Sequence, residues 1–356
     1  MTVRRTIAVT GMNARADNPA PGLAVARCLR ESGLPLRIVG LGYDALDPGL
    51  YSSRCDAGYL LPYPSAGEEA VFERLADIHE VEHFDAVIPC LDSELSVFAT
   101  LEDRLLGLGV RSFLPTHEQL RARDKGHLTE LAKRVGVRYP ETRPISDSSF
   151  FMDSVKNGWD YPLVVKGPLF DAQVVRTPEE AVQAFRRIAA VWGLPILVQR
   201  VVEGDEFNLA GLGDGRGGMV GAVMMKKRGL TDKGKAWAGV TIHDDRLLEL
   251  GRSIVAALRW RGPLEVEAMR GPDGDYYLIE INPRFPAWIY LSAGVGCNLP
   301  AALCALIMGE PPPILPPPQA GTLFIRSAEE IIVPLVAFES VMLTGHVSAT
   351  GGAAKP

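Results

Sequence analysis

The chain has 356 residues, 47% of them hydrophobic, and carries 37 Lys and Arg against 43 Asp and Glu, a formal net charge of −6. That is enough for about two to three packed units with sizeable cores, and it argues against a disordered chain. The cations are scattered, with no basic stripe or tail, so nucleic acid is excluded as an expected partner and an anionic ligand must be held by a few placed cations.

In chain order, Thr6–Thr10 (TIAVT) is an apolar run closed by Gly11, the pattern of a buried parallel strand. Pro21–Ser32 has helical spacing and Gly33 ends it. Leu36–Leu41 reads as a strand, Glu68–Glu80 as a helix, Phe84–Pro89 as a third strand, Glu94–Leu106 as a third helix and Val110–Leu114 as a fourth strand. This alternation predicts an open, Rossmann-like parallel sheet over residues 1–114. The segment TGMNARADNPAPG cannot be fitted to GxGxxG, so the sheet gives no support for a dinucleotide.

Thr116–Val135 reads as one helix, followed by Gly136 and a polar linker to Asp160. Tyr161–Gly167 (YPLVVKG) is a strand ending in a lysine, Pro178–Val191 a helix and Pro195–Val202 a strand. Glu206–Leu212, Met219–Lys227 and Trp237–Ile242 read as antiparallel strands by their short connections. Leu247–Leu258 is a helix, and Glu265–Arg270 pairs with Tyr276–Ile281 around the turn signal Pro272-Asp273-Gly274. Ala287–Met308 has no charge and approaches membrane-span length, but Gly294, Gly296, Asn298 and Pro300 interrupt it, so a loop and a buried helix are expected, with no membrane partner. PPPILPPPQ opens a stiff connector after Glu310; a short strand at Thr322–Ile325 and disorder from Thr350 follow. The five cysteines (Cys28, Cys55, Cys90, Cys297, Cys304) form no CxxC pair, and the apolar run near Met1 is too short for a signal segment, which together predict a cytoplasmic protein with reduced thiols.

The hairpin EVEAMRGPDGDYYLIEINPRF carries the chemistry. Glu280 and Asn282 are two residues apart and share one strand face, and the turn brings Glu267 opposite them. Two carboxylates and an amide oxygen are hard ligands suited to Mg²⁺ bridging nucleotide phosphates. Glu280 sits in the apolar run Leu278–Ile281, where an unpartnered carboxylate would be costly. Arg284 falls on the same side, placed for a carboxylate or a phosphoryl group, with a salt bridge to one of the glutamates as the alternative. Lys166, at the end of an apolar strand, suits an α- or β-phosphate. Lys125 offers a second cation or is a solvated surface lysine. VQRVVEGDEFNL is an apolar strand that turns acidic, able to present backbone groups to an adenine and Glu206 to a ribose, or is an ordinary acidic loop. Lys226, Lys227 and Arg228 precede GLTDKGKAW, with Lys233 and Lys235, which has the composition of a mobile cationic lid or of a solvated turn.

Together these segments resemble the ATP-grasp superfamily over about Leu114–Gly309, with its usual Rossmann-like domain in front. LEVEAMRGPDGDYYLIEINPRF is similar to the metal hairpin of carbamoyl phosphate synthetase, biotin carboxylase and D-alanine ligase; GVGCNLPAALCALIMGE and WAGVTIHDDRLLELG add likeness to the carbamoyl phosphate synthetase branch. The resemblance implies a mixed α/β chain (α+β in part): a Rossmann-like pre-ATP-grasp domain (1–114), an ATP-grasp domain (115–310) whose two α+β lobes (115–198 and 199–310) hold ATP between them, and a Pro-rich tail (311–356). It implies ATP with Mg²⁺, or Mn²⁺ in its place, the metal on Glu267, Glu280 and Asn282. Lys125 and Lys166 would bind phosphates, Gln199, Arg200 and Val202 would line adenine, and Glu206 would take the ribose. Lys226 would join the nucleotide site, and Arg284 and Lys233 would act on the reacting group. The chain departs from its relatives after Lys166: where many have a long Gly-rich loop, KGPLFDAQVV is short and Gly-poor, leaving the lid to Lys226–Trp237 or turnover lost.

The activity so implied is an ATP-dependent carboxylate–amine (or –thiol) ligase working through an acyl phosphate. Its partners would be a small-molecule or peptide carboxylate and an amine or thiol acceptor, in a homodimer by family analogy. Glu94, Pro286, Trp288 and Tyr290 are the candidates for an acceptor pocket. A kinase- or carboxylase-like use of the site and a non-catalytic ATP-binding regulator are the competing readings.

Overall fold

The structure, a computed structural model, describes residues 4–15, 18–167, 171–231 and 234–348. The first elements are β1 (Arg5–Val9), α1 (Pro21–Arg30), β2 (Leu36–Gly42), β3 (Ala57–Leu60), α2 (Glu68–Glu82), β4 (Ala86–Ile88) and α3 (Leu95–Gly107). Next come α4 (His117–Ala122), α5 (Leu128–Val135), β5 (Thr142–Ile145), β6 (Leu163–Lys166), β7 (Ala172–Val175), α6 (Pro178–Trp192) and β8 (Ile196–Arg200). They are followed by β9 (Asp205–Asp214), β10 (Met219–Leu230), β11 (Ala236–Thr241), α7 (Asp245–Leu258), β12 (Arg261–Arg270) and β13 (Tyr276–Asn282). The last are α8 (Tyr290–Gly294), α9 (Leu299–Ile307), β14 (Leu323–Ile325), α10 (Leu335–Thr344) and β15 (His346–Ser348). Contacts divide the chain into two compact units, and neither is continuous in sequence. One runs to His117, resumes over Asn208–Glu265 and again from Asn282; the other holds Glu118–Phe207 and Val266–Ile281.

In the first unit a five-stranded sheet has the order β15-β3-β2-β1-β4. β1 pairs in parallel with β2 and β4, and β2 with β3. Ile7, Val9, Ile38 and Ile88 are buried with Val25 and Leu29 of α1, so the continuous apolar strands are covered as a parallel sheet requires. Gly22 lets α1 close onto the sheet: a Cβ there would lie 1.8 Å from the Thr10 carbonyl oxygen. Val110–Leu114 is not a strand; it makes one parallel bridge, Arg111 to Ala86. The sheet grows instead through two short strands that carry no sequence pattern. β3 has four residues, and β15 returns from the far end of the chain to pair antiparallel with it, His346 facing Tyr59.

A six-stranded sheet has the order β13-β12-β9-β10-β11-β14, and the boundary between the units falls within β9, β12 and β13. β10 and β11 pair antiparallel, as their short connection predicted, and β14 pairs antiparallel with β11. The uncharged stretch after Ala287 resolves into α8, a loop and the buried α9, whose first turn is capped by Asn298 Oδ1 accepting from the Ala301 N–H. Among the described residues no helix is long and apolar enough to cross a membrane.

The second unit holds a four-stranded sheet, β5-β8-β6-β7, antiparallel throughout. Val165, Val198, Ile145 and Ile196 on one face pack with Phe185 and Ile188 of α6. Thr177 Oγ1 caps α6 by accepting from the Glu180 N–H, and Pro178 follows at its start. Two sequence expectations change here. The helix read over Thr116–Val135 is broken into α4 and α5, and Lys125 lies in the turn between them. The polar linker contains β5, which pairs with β8 from Thr142 opposite Gln199 to Ile145 opposite Ile196.

Candidate functional site

On β6, Val165 points into the core, so Lys166 beside it points to the opposite face. Gln199 on β8 lies opposite Val164, and Thr142 on β5 lies opposite Gln199. Residues opposite one another across strands share a face, so Thr142, Gln199 and Lys166 occupy the sheet face turned from the core. Gln199 is 2% exposed and its Nε2 donates to Thr142 Oγ1 at 2.8 Å.

Lys166 is 9% exposed. Burial, with the neighbouring positive charge of Lys125, pushes its ammonium down to about 8 against the pull of Glu280 and Glu267. Lys125 Nζ lies 3.8 Å from Glu280 Oε1, with the lysine side chain 12% exposed. The fold therefore assembles four charges that the sequence spreads from 125 to 280. Two lysines and two glutamates share one half-buried site, where cations can face phosphate oxygens while carboxylates hold a divalent ion.

Asn282 and Arg284 belong to the first unit. Asn282 ends β13, is 5% exposed, and donates from Nδ2 to Glu265 Oε2 at 3.1 Å. A carboxylate only accepts, so the amide must turn its N–H₂ to Glu265, which leaves Oδ1 as the ligating atom. Arg284 donates from Nε to Asp92 Oδ2 at 2.8 Å and from Nη1 to Glu265 Oε2 at 3.1 Å. A salt bridge does hold Arg284, with Glu265 and Asp92 as partners. Among the described residues no group of three or more His, Cys, Asp and Glu side chains comes together for a metal. Glu267 and Glu280 of the second unit are hard oxygen donors of the kind that suits Mg²⁺, and the amide oxygen of Asn282 in the first unit is a donor of the same class.

Other expected residues stand as follows. The Arg200 guanidinium is held by Glu141 at 2.6 Å, by the Gly158 carbonyl and over the Trp159 ring, and its backbone N–H donates to the Glu141 carbonyl at 3.0 Å. Val202 lies in the loop after β8, Glu206 is half-buried near the start of β9, and Lys226 is half-buried on β10 opposite Val240. Lys233 lies outside the described residues. Glu94 is no acceptor contact: it is fully buried, accepts from Thr10, Tyr43 and the Cys90 and Leu91 N–H groups, and burial raises its pKa. Tyr290 is occupied by Glu31 at 2.6 Å and by the Arg27 guanidinium over its ring. Trp288 is 3% exposed and donates its indole N–H to Glu265.

Two residues here were missed by sequence reasoning: Glu265 and Asp92. For Glu265 a signal existed, a carboxylate inside the apolar start of β12 two residues before Glu267. Asp92 had no such mark.

Residues 173–329 match the family model described as ATP-grasp in the biosynthetic pathway with Ter operon. No curated protein matches the chain. Among solved structures the chain is similar to a biotin carboxylase from Campylobacter jejuni, with a TM-score of 0.67 and 16% identity over 87% of this chain and 72% of that one. It is similar to an L-amino acid ligase from Bacillus licheniformis, with a TM-score of 0.63 and 17% identity over 85% and 74%. It also matches the biotin carboxylase domain dimer of the Hydrogenobacter thermophilus 2-oxoglutarate carboxylase, in complex with MgADP, ADP and bicarbonate, with a TM-score of 0.65 and 16% identity over 86% and 70%. The chain has the ATP-grasp fold. None of these likenesses singles out the carbamoyl phosphate synthetase branch.

Proposed function

We propose that the protein is an ATP-dependent carboxylate–amine (or –thiol) ligase that works through an acyl phosphate and releases ADP and phosphate. The observation that carries this reading is the convergence of Lys125, Lys166, Glu267 and Glu280 at one site. The L-amino acid ligase among the structural relatives supports the same chemistry.

Glu267, Glu280 and Asn282 would hold Mg²⁺, or Mn²⁺ in its place. When bound, the ion neutralises the charge of the transferring phosphoryl group. Lys166 and Lys125 orient the phosphates as point charges, and the buried position of Lys166 strengthens that interaction by keeping water away. Gln199 and the backbone of Arg200 and Val202 take the adenine, Glu206 the ribose, and Lys226 the outer phosphates. Arg284, fixed by Asp92 and Glu265, faces the anionic reacting group with a preset orientation, so little reorganisation is needed when charge develops. Lys233, with Arg284, acts on the reacting group. A carboxylate attacks the γ-phosphorus, the β–γ bond breaks and ADP leaves; the amine or thiol then displaces phosphate from the acyl carbon.

The test is release of phosphate and ADP with Mg²⁺-ATP against pools of amino acids and small carboxylic acids, singly and in pairs. Release that needs an acid together with an amine is the expected result. Release with bicarbonate or one acid alone would replace the ligase reading with a carboxylase- or kinase-like one, a second reading that the two carboxylase relatives favour. ATP binding without release under any mixture would leave a non-catalytic regulator. We place the protein in the cytoplasm, because its five cysteines are free and buried, and as a homodimer, because one structural relative is described as a dimer.

A further inference from the structure

Glu265 is 4% exposed and accepts four side-chain hydrogen bonds. Asn208 Nδ2 at 2.8 Å and Trp288 Nε1 at 2.7 Å reach Oε1; Asn282 Nδ2 and Arg284 Nη1, both at 3.1 Å, reach Oε2. Asn208 is fully buried, and its own Oδ1 has no hydrogen-bond partner. A buried amide with one orphaned end is costly, by about 1–3 kcal/mol, so a residue whose other end only stabilised the fold would be poorly spent. The four donors have different chemistry but one target. Two of them are the amide expected to ligate the metal and the guanidinium expected to meet the reacting group.

We propose that Glu265 is a positioning residue of the nucleotide site: its carboxylate sets the amide of Asn282 with Oδ1 toward the metal and holds Arg284 in register with it. This rests on the metal and nucleotide reading of the site. Glu265 would act through Asn282 and Arg284, which it accepts from directly. Its role is to make one orientation of Asn282 the only one available, since a flipped amide would press Oδ1 against a carboxylate. Outer partners of metal ligands of this kind alter metal affinity by about 10–100-fold when removed.

The experiment measures ATP binding by calorimetry across a Mg²⁺ titration, with ligand-free thermal unfolding as the folding control. E265Q keeps the shape but turns one acceptor into a donor, and should raise the Mg²⁺ midpoint by about 10–100-fold. N282D sets two carboxylates against each other and should raise it too. In E265Q/N282D the polarity of the pair is reversed: the glutamine donates, the new carboxylate accepts, and an oxygen again faces the metal. Because the glutamine N–H₂ would also meet the Arg284 N–H that Oε2 accepts in the wild type, the double variant should recover part of the loss and lie below both single variants, a rescue that a purely structural Glu265 does not predict. W288F removes one donor without touching Asn282 and should move the midpoint the same way by a few-fold, which serves if the Glu265 variants fail to fold. A wild-type midpoint in E265Q, a double variant no better than the worse single one, or an unmoved W288F would each overturn the proposal. Wild-type protein that binds no ATP at any Mg²⁺ concentration would overturn the nucleotide reading and this role together, and so separates the two failures.

Discussion

Lys166, the lysine proposed to bind phosphate, joins two properties usually opposed, burial and charge. With its ammonium brought down to about 8 by burial and by Lys125, the ligand-free protein holds Lys166 neutral above that pH. A polyphosphate stabilises the charged form, so ATP binding takes up a proton wherever the free group has lost one. ATP affinity should therefore fall as pH rises above about 8, by at most about tenfold per pH unit, and K166M should bind weakly with no such slope. Stability of the ligand-free protein follows the same sign. The folded-state value lies below the ordinary 10.5, so the unfolded chain binds more protons between about 8 and 10.5, and Lys166 contributes stability that grows with pH across that window. Proton uptake measured in two buffers of different ionisation heat checks the first claim; an affinity flat from pH 7 to 10 would refute it. Glu280→Gln should lower turnover by about 10²–10³-fold, the usual scale for losing one electrostatic contact to a developing charge; wild-type turnover would remove Glu280 from the metal set.

At the scale of elements, the sequence was most legible where periodicity and chemistry coincided. β12 and β13 follow from the turn signal Pro272-Asp273-Gly274 between two runs, the shared face of Glu280 and Asn282 from alternation, and Lys166 at a strand end from the apolar run before it. Short elements were legible only where an apolar run marked them, as at β4, β6 and β14. β3 and β7 have four residues each, too few for a period, and β5 is interrupted by Pro144 in a polar stretch, where pairing with β8 decides the conformation. The break between α4 and α5 is likewise local, and it puts Lys125 in a turn from which it reaches Glu280. Glu265 was hidden for another reason: its four donors come from positions 208, 282, 284 and 288, so its importance is a property of tertiary contact. One turn residue gives an element-level prediction. Gly204, between β8 and β9, has φ +150°, and a Cβ on it would lie 2.0 Å from the Arg270 carbonyl oxygen. Gly204→Ala should cost about 1–3 kcal/mol of stability, measured by denaturant unfolding, because both the backbone angle and the space refuse a side chain. An alanine variant as stable as wild type would mean that this turn relaxes freely.

At the scale of the whole molecule, the first sheet is closed by the last strand. The Gly345 carbonyl accepts from the Leu60 N–H at 2.8 Å and from Arg74 Nη2 at 3.1 Å, and β15 then covers the edge of β3, with the His346 ring stacked on Tyr59. A chain ending at Thr344 should expose β3 as an edge, lower the melting temperature by several degrees and aggregate in a concentration-dependent way. Its folded fraction should still bind Mg²⁺-ATP like wild type, since no candidate nucleotide residue lies beyond Arg284. Light scattering and calorimetry on the same sample read both halves of that expectation. The same closing strand also fixes a timetable for synthesis. A ribosome makes Tyr59 and Leu60 early and His346–Ser348 nearly three hundred residues later, while every residue of the second unit has been made once Ile281 is added. Until His346–Ser348 are made, the edge of β3 has no β15 to pair with.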